Sequence, residues 1–209
     1  MANNPTPLSI TLTLKLGMVY MEQKKYELAK QILTQALENA ADLYGEDAKV
    51  LIMVDIMVAL SSVYVFNGDS QEAMQHLDKS MTTLNQHQHR SKSNAIAGQI
   101  AVTQNLLGIV YFNSNQFEDS IKYFTDCLNT LNKVKSIKPK LEPRLLLKAR
   151  TLSYLSQICL RSQELESAKL YSLKCLTLYQ QIKPRSAGKE IAIAYIQLGY
   201  IDGQLHQRQ

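Results

Sequence analysis

A short pattern of residue types recurs four times along this chain and constrains its fold more than any other feature. In each copy a leucine and a small residue are followed, three positions after the small one, by an aromatic residue or cysteine, and nine positions later by another small residue. The pattern predicts a stack of similar units, because self-similarity at a period of about 20 to 50 residues is typical of repeat proteins. The copies are Leu16-Gly17 with Tyr20 and Ala29, Leu60-Ser61 with Tyr64 and Ala73, Leu107-Gly108 with Tyr111 and Ser120, and Leu155-Ser156 with Cys159 and Ala168.

Each unit has the periodicity of two helices. The aromatic or cysteine positions are 44, 47 and 48 residues apart. A polar turn follows each of them, and an apolar residue (Tyr26, Phe117 or Leu165) then opens a second stretch with a spacing of about 3.6 residues. Small residues in both stretches allow two helices to approach closely, and large ones fill the space opposite. The small closing residues of the second helix are Ala36, Ser80, Cys127 and Cys175, and the large ones are Leu33, Leu77 and Phe124 in the first three units.

The composition favours long helices over strands. Eight glycines and five prolines in 209 residues are too few for an all-β fold, which needs frequent turns. The apolar stretch from Val50 to Phe66 is about as short as a membrane span can be and contains Asp55, so we interpret it as a buried helix.

The sequence resembles the tetratricopeptide repeat along residues 8 to 182. The match is close in LKLGMVYMEQKKYELAKQILTQALE from Leu14 and in NLLGIVYFNSNQFEDSIKYFTDCL from Asn105. The other two units depart from the family pattern at Ser61, Ser156 and Ser172. The units exceed the usual ~34 residues, as in the long-unit repeats of kinesin light chains. The resemblance implies an all-α, right-handed α-solenoid of antiparallel helix pairs, about nine helices in all.

We expect a single repeat domain with short extensions. An N-terminal extension covers residues 1–7 and the repeat domain covers 8–204, followed by a polar tail at 205–209. Gln86 to Asn94 and Lys133 to Pro143 are expected to be irregular connections. The expected units are 8–44, 46–86, 93–134 and 141–182, with a capping helix at 187–204.

The resemblance also implies that the first helix of each unit lines a concave groove. Co-chaperone members of the family hold a C-terminal carboxylate there with Lys, Arg and Asn side chains, but the matching places here are mostly apolar or uncharged. Such a groove suits an amphipathic helix or hydrophobic peptide. Alternatively, these side chains pack against the long neighbouring helices or a second copy of the chain. The expected groove residues are Met18, Met21, Ser62, Val65, Asn105, Ile109, Phe112 and Gln157.

Basic residues cluster in two connections and predict a basic rim along one edge of the solenoid. A rim of this kind attracts an acidic protein segment, an anionic lipid or a nucleic acid. Nucleic acid is the least favoured of these, since no aromatic residue in the first cluster offers a stacking platform. The rim residues are Lys133, Lys135, Lys138, Lys140, Arg144, Lys183 and Arg185.

No motif for catalysis, cofactor binding or metal binding stands out. His87 and His89 lie in an expected polar connection without carboxylate or cysteine partners, so we interpret them as solvated. Cys127, Cys159 and Cys175 occupy packing positions, which predicts small buried hydrophobes. With three unclustered cysteines and no signal peptide pattern at the start, we expect a reducing intracellular compartment, the cytoplasm first and the nucleus or mitochondrion as alternatives.

The leading hypothesis is a non-enzymatic scaffold or adaptor that binds a partner helix or peptide in its groove, within a multiprotein complex. One alternative is a subunit of a chromatin- or nucleic-acid-associated complex, similar to the cohesin loader, that uses the basic rim. Another is a peptide-sensing regulator, similar to the repeat domains of bacterial quorum-sensing receptors.

Overall fold

The computed structural model describes residues 5–44, 50–90, 93–134, 141–182 and 184–207. Over these residues the chain forms nine α-helices and no strand. Their bounds are α1 Pro7–Glu22, α2 Tyr26–Tyr44, α3 Val50–Asn67, α4 Ser70–Arg90, α5 Asn94–Asn113, α6 Phe117–Lys133, α7 Leu141–Arg161, α8 Leu165–Gln180 and α9 Pro184–His206.

The same backbone turn joins the two helices of all four pairs. The carbonyl of Tyr20 accepts a hydrogen bond from the N–H of Lys25 at 2.9 Å, and the later pairs repeat this bond with Tyr64, Tyr111 and Cys159 as acceptors. The residue before each donor has a positive φ, which is the usual way to end a helix and reverse the chain. These residues are Lys24 (60°), Gly68 (86°), Asn115 (58°) and Gln163 (59°).

Two glycines of the repeated pattern let helices approach closely. A Cβ placed on Gly17 would lie 2.6 Å from the side chain of Leu33, and one on Gly108 would lie 2.5 Å from the ring of Phe124. Both large side chains are fully buried. The small and large residues of the sequence pattern are therefore the two sides of one contact between paired helices.

The helices form an inner and an outer layer. Each odd-numbered helix contacts the next odd-numbered helix, whereas the even-numbered helices contact only their sequence neighbours, within the described residues. An array in which one layer is in contact and the other is spread apart curves towards the layer in contact. The odd-numbered helices therefore line the concave side.

The apolar helices α3 and α5 are internal elements of this stack. Within the described residues α5 is the only helix both long and apolar enough to cross a membrane by composition, and over half of it is buried. It contacts α3, α4, α6 and α7, and α3 contacts α1, α2, α4 and α5. Their apolar character is thus accounted for by neighbours on several sides.

Several helix ends differ from the sequence prediction. α7 begins at Leu141, inside the connection predicted from Lys133 to Pro143. α4 continues to Arg90, so His87 and His89 lie in its last turns and not in a connection. α9 begins at Pro184, three residues before the predicted capping helix, and ends at His206. Proline is well suited to the first turn of a helix, where its missing N–H has no partner to lose.

Candidate protein-binding surface

One row of side chains runs across the inner layer at equivalent positions of α1, α3, α5 and α7. Each member lies one residue after the small residue of the repeated pattern. Met18 is 46% exposed, and Ser62, Ile109 and Gln157 are partly exposed. These four residues occupy equivalent positions of the four inner helices, and we call them the inner row.

Three of the predicted groove residues lie three positions after the inner row in α1, α3 and α5, and they are only partly accessible. Met21 and Val65 are partly exposed, but Phe112 is buried. The Phe112 ring packs edge-on against Tyr154 of α7 at 5.2 Å, and the Arg161 guanidinium lies 4.5 Å from its centroid. Phe112 therefore joins α5 to α7 and is not presented to a partner.

Asn105 is also buried, between α5 and α7. Its Nδ2 donates a hydrogen bond to Thr151 Oγ1 at 2.9 Å, and Thr151 Oγ1 in turn donates to the Leu147 carbonyl at 2.8 Å. A buried amide needs such partners, because an unsatisfied one is costly. We therefore place Asn105 and Phe112 in the interface between units and leave both out of the candidate surface.

The middle of the inner layer carries little charge. α5 has no Asp, Glu, Lys, Arg or His, and α3 has only Asp55 among these residue types. Asp55 accepts a hydrogen bond from Gln99 Nε2 at 2.7 Å, which links α3 to α5. Further along, Arg150 of α7 lies 3.7 Å from Glu190 of α9. The charged side chains Asp55 and Arg150 thus each have a neighbour within the stack.

The basic rim is only partly within the described residues. Lys133 is exposed in the last turn of α6. Arg144 of α7 donates a hydrogen bond to the Leu131 carbonyl, and Lys148 donates to Asn132 Oδ1 at 2.9 Å. Arg144 therefore helps to satisfy the carbonyl end of α6, a structural role that the sequence did not reveal. Lys135, Lys138, Lys140 and Lys183, and the side chain of Arg185, lie outside the described residues.

The cysteines sit in the packing of the helix pairs. Cys127 and Cys175 are buried and Cys159 is partly exposed, and none forms a disulfide. Burial raises the pKa of Cys127 to about 11 and that of Cys175 to about 12. In the part of the chain that the structure describes, no three His, Cys, Asp or Glu side chains gather as metal ligands.

A curved stack of antiparallel helix pairs defines a helical-repeat protein, a class whose extended concave surfaces are generally used for binding. Two family models, both described as Tetratricopeptide repeat, match residues 8–86 and 101–130, just over half of the chain. The chain belongs to the tetratricopeptide-repeat superfamily, whose members are generally non-enzymatic interaction scaffolds.

Solved structures show the same fold at low sequence identity. The crystal structure of BtubC (BKLC) from P. vanneervenii is 15% identical with a TM-score of 0.69, over 93% of this chain and 72% of that one. The apo form of RapI is 14% identical with a TM-score of 0.66, over 95% of this chain and 49% of that one, so this chain spans about half the length of RapI. A search of curated proteins finds no match.

Proposed function

We propose that this protein is a non-enzymatic adaptor that holds a partner helix or peptide along its inner row within a multiprotein complex. The carrying observation is the inner row of Met18, Ser62, Ile109 and Gln157, which lies on four helices and contains no charged residue. Methionine adapts to irregular partners, and an amphipathic helix lays its apolar face into a groove of this kind.

The cellular setting that we propose is a reducing intracellular compartment. Three free thiols support it, two of them buried where a disulfide partner has no access. The exposed Lys133 at the end of α6 supports an acidic segment on the partner, which would add electrostatic steering.

Crosslinking in the source cell, compared between three forms of the chain, tests the groove. The wild type, Met18→Asp and Leu170→Asp carry the same label, and crosslinked partners are identified by mass spectrometry. Leu170 is the matched control, because it is 51% exposed on the outer helix α8. We expect Met18→Asp to lose a partner that the other two retain. If every partner survives Met18→Asp and a second substitution, Gln157→Glu, the groove assignment is wrong.

A further inference from the structure

The last helix is held in the position of an odd-numbered helix. Its Ala187, Ala194, Leu198 and Ile201 are buried, and α9 contacts both α7 and α8. Gln197 Nε2 donates to Ser156 Oγ at 2.9 Å. Lys169 Nζ of α8 also lies 2.7 Å from Asp202 Oδ1. The register of α9 is therefore fixed by packing on one face.

In this register Leu198-Gly199 corresponds to Leu16-Gly17 and Leu107-Gly108. In the earlier helices the glycine receives a large side chain from the following even-numbered helix, with Cβ approaches of 2.6 Å and 2.5 Å. A Cβ on Gly199 would meet nothing within 4 Å. α9 therefore has the same space beside its glycine, which we call the socket. No side chain of the described residues fills the socket beside Gly199.

A second position of α9, that of Ala192, is also uncovered although its equivalents in the earlier helices are buried. Seven residues before the small residue, the four earlier odd-numbered helices each have a fully buried apolar side chain, and in α9 the equivalent residue, Ala192, is exposed. Three of the buried residues share a cluster with a residue near the end of the following even-numbered helix: Val54 with Leu84, Ala101 with Leu131, and Ala149 with Tyr179. The fourth is Ile10, in the cluster that contains Ala40.

The surface around Ala192 and Gly199 is apolar. Residues 191 to 201 contain no Asp, Glu, Lys or Arg. Ile196 is 74% exposed and Tyr200 is 59% exposed, and Ile193 and Tyr195 are about half exposed. The nearest acids, Glu190 and Asp202, already face Arg150 and Lys169. A contiguous apolar patch of this kind marks an interaction site on a soluble fold.

We propose that the open face of α9 binds an antiparallel amphipathic helix supplied by a partner polypeptide, in the place that α2, α4, α6 and α8 take in the earlier pairs. Continuity with the first three of those interfaces specifies the chemistry of the occupant, since α2, α4 and α6 supply Leu33, Leu77 and Phe124 at this position whereas α8 has Ser172. It has a large apolar residue to cover Gly199, with small residues four positions before it and three positions after it. α2 shows this arrangement with Ala29, Leu33 and Ala36. The surface is separate from the inner row and does not depend on it.

A peptide with the sequence of α2, residues 26–44, is a direct probe of this face. It is labelled with fluorescein and titrated with the full 209-residue chain while fluorescence anisotropy is recorded. We expect saturable binding with a Kd below about 100 µM, and at least about tenfold weaker binding to Gly199→Leu, whose side chain fills the socket. The Met18→Asp variant should bind as the wild type does, because the inner row is not involved and Met18 is 46% exposed.

The matched control is Gly98→Leu in α5. Gly98 is also helical, and a Cβ there also meets nothing within 4 Å. Both substitutions raise helix propensity, so neither should prevent folding, and thermal unfolding checks this. Equal peptide binding by the wild type and Gly199→Leu overturns the proposal, as does an absence of binding. Self-association of the wild type in sedimentation that Gly199→Leu abolishes also overturns it, because a second copy is then the occupant.

Discussion

The Oγ atoms of Ser156 and Ser172 lie 2.7 Å apart in the buried interface between α7 and α8. In the first and third pairs the same two positions are a glycine and a large apolar residue, Gly17 with Leu33 and Gly108 with Phe124. Ser156 Oγ also donates to the Ala168 carbonyl at 2.8 Å. The fourth pair thus replaces a socket and its large side chain with a hydrogen-bonded contact between two small residues.

This exchange predicts strong coupling between the two serine positions. Ser172→Leu alone should lower the free energy of unfolding by about 1–3 kcal/mol, because the added volume meets Ser156. Adding Ser156→Gly opens the socket found in other pairs, so the double variant should recover at least about 1 kcal/mol of that loss. Urea unfolding of both single variants and the double variant gives the coupling energy. Additive effects would show that the two positions do not share one packing site.

Any side chain at Gly108 should destabilise the contact between α5 and α6. Its neighbour Phe124 is fully buried, and the Phe124 ring stacks on Tyr154 at a centroid distance of 5.3 Å, so it has little room to move. Gly108→Ala should therefore lower the free energy of unfolding by about 1–3 kcal/mol. Gly98→Ala in the same helix meets open space and should raise it by up to about 1 kcal/mol, through helix propensity alone. Urea unfolding measures both. Two variants with the same sign would contradict the close approach.

The repeated pattern predicted the paired helices because it records the contact that joins them. α2, α6 and α8 begin at Tyr26, Phe117 and Leu165, where the apolar periodicity resumes after a polar turn. The end of α4 was missed, because the polar segment around His87 has no glycine or proline that distinguishes a helix from a loop.

The candidate surface was predicted less well than the fold. Helical spacing identifies the side of α5 that points inwards, but it does not say how closely α7 approaches. The inner helices touch each other, and this contact covers Asn105 and Phe112. A neighbour's distance depends on the curvature of the whole array, which no single unit encodes. The open face of α9 was missed for the same reason, because its exposure becomes visible only by comparison with the earlier pairs.

Replacing Lys24 with glycine should stabilise the turn between α1 and α2. Lys24 has a φ of 60°, a left-handed conformation that costs a residue with a side chain about 1–2 kcal/mol. Lys24→Gly should therefore raise the free energy of unfolding by about 1 kcal/mol, after the greater chain entropy of glycine is counted. The neighbouring Lys25→Gly is the control and should give no gain, since Lys25 has no positive φ. Conversely, Gly68→Ala should lose about 1 kcal/mol at a φ of 86°. Thermal and urea unfolding measure all three, and a loss with Lys24→Gly would contradict the cost assigned to this turn.

The three thiols should differ sharply in reactivity. The thiolate is the reactive form, and burial raises the pKa of Cys127 to about 11 and that of Cys175 to about 12. The pKa of Cys159 is also raised, by burial first and then by Glu164, but its side chain is partly exposed. At pH 8 a disulfide reagent such as dithionitrobenzoate should therefore modify Cys159 in one fast phase and the other two only as the chain unfolds. Cys159→Ala should remove the fast phase. A fast phase that survives this substitution would mean that a helix pair opens at Cys127 or Cys175.

The same buried thiols should make the fold less stable in alkali. In the unfolded chain both ionise near their ordinary pKa of 9.0, whereas in the folded chain they stay protonated until about 11 and 12. Between these values the unfolded state binds fewer protons, so rising pH favours unfolding. The stability is complete below pH 9 and should fall by about 1 kcal/mol per thiol by pH 10. Urea unfolding at pH 8 and pH 10 tests this, with Cys127→Ala as the comparison. That variant is less stable at both pH values, because it leaves a cavity, but its loss between them should be smaller than that of the wild type.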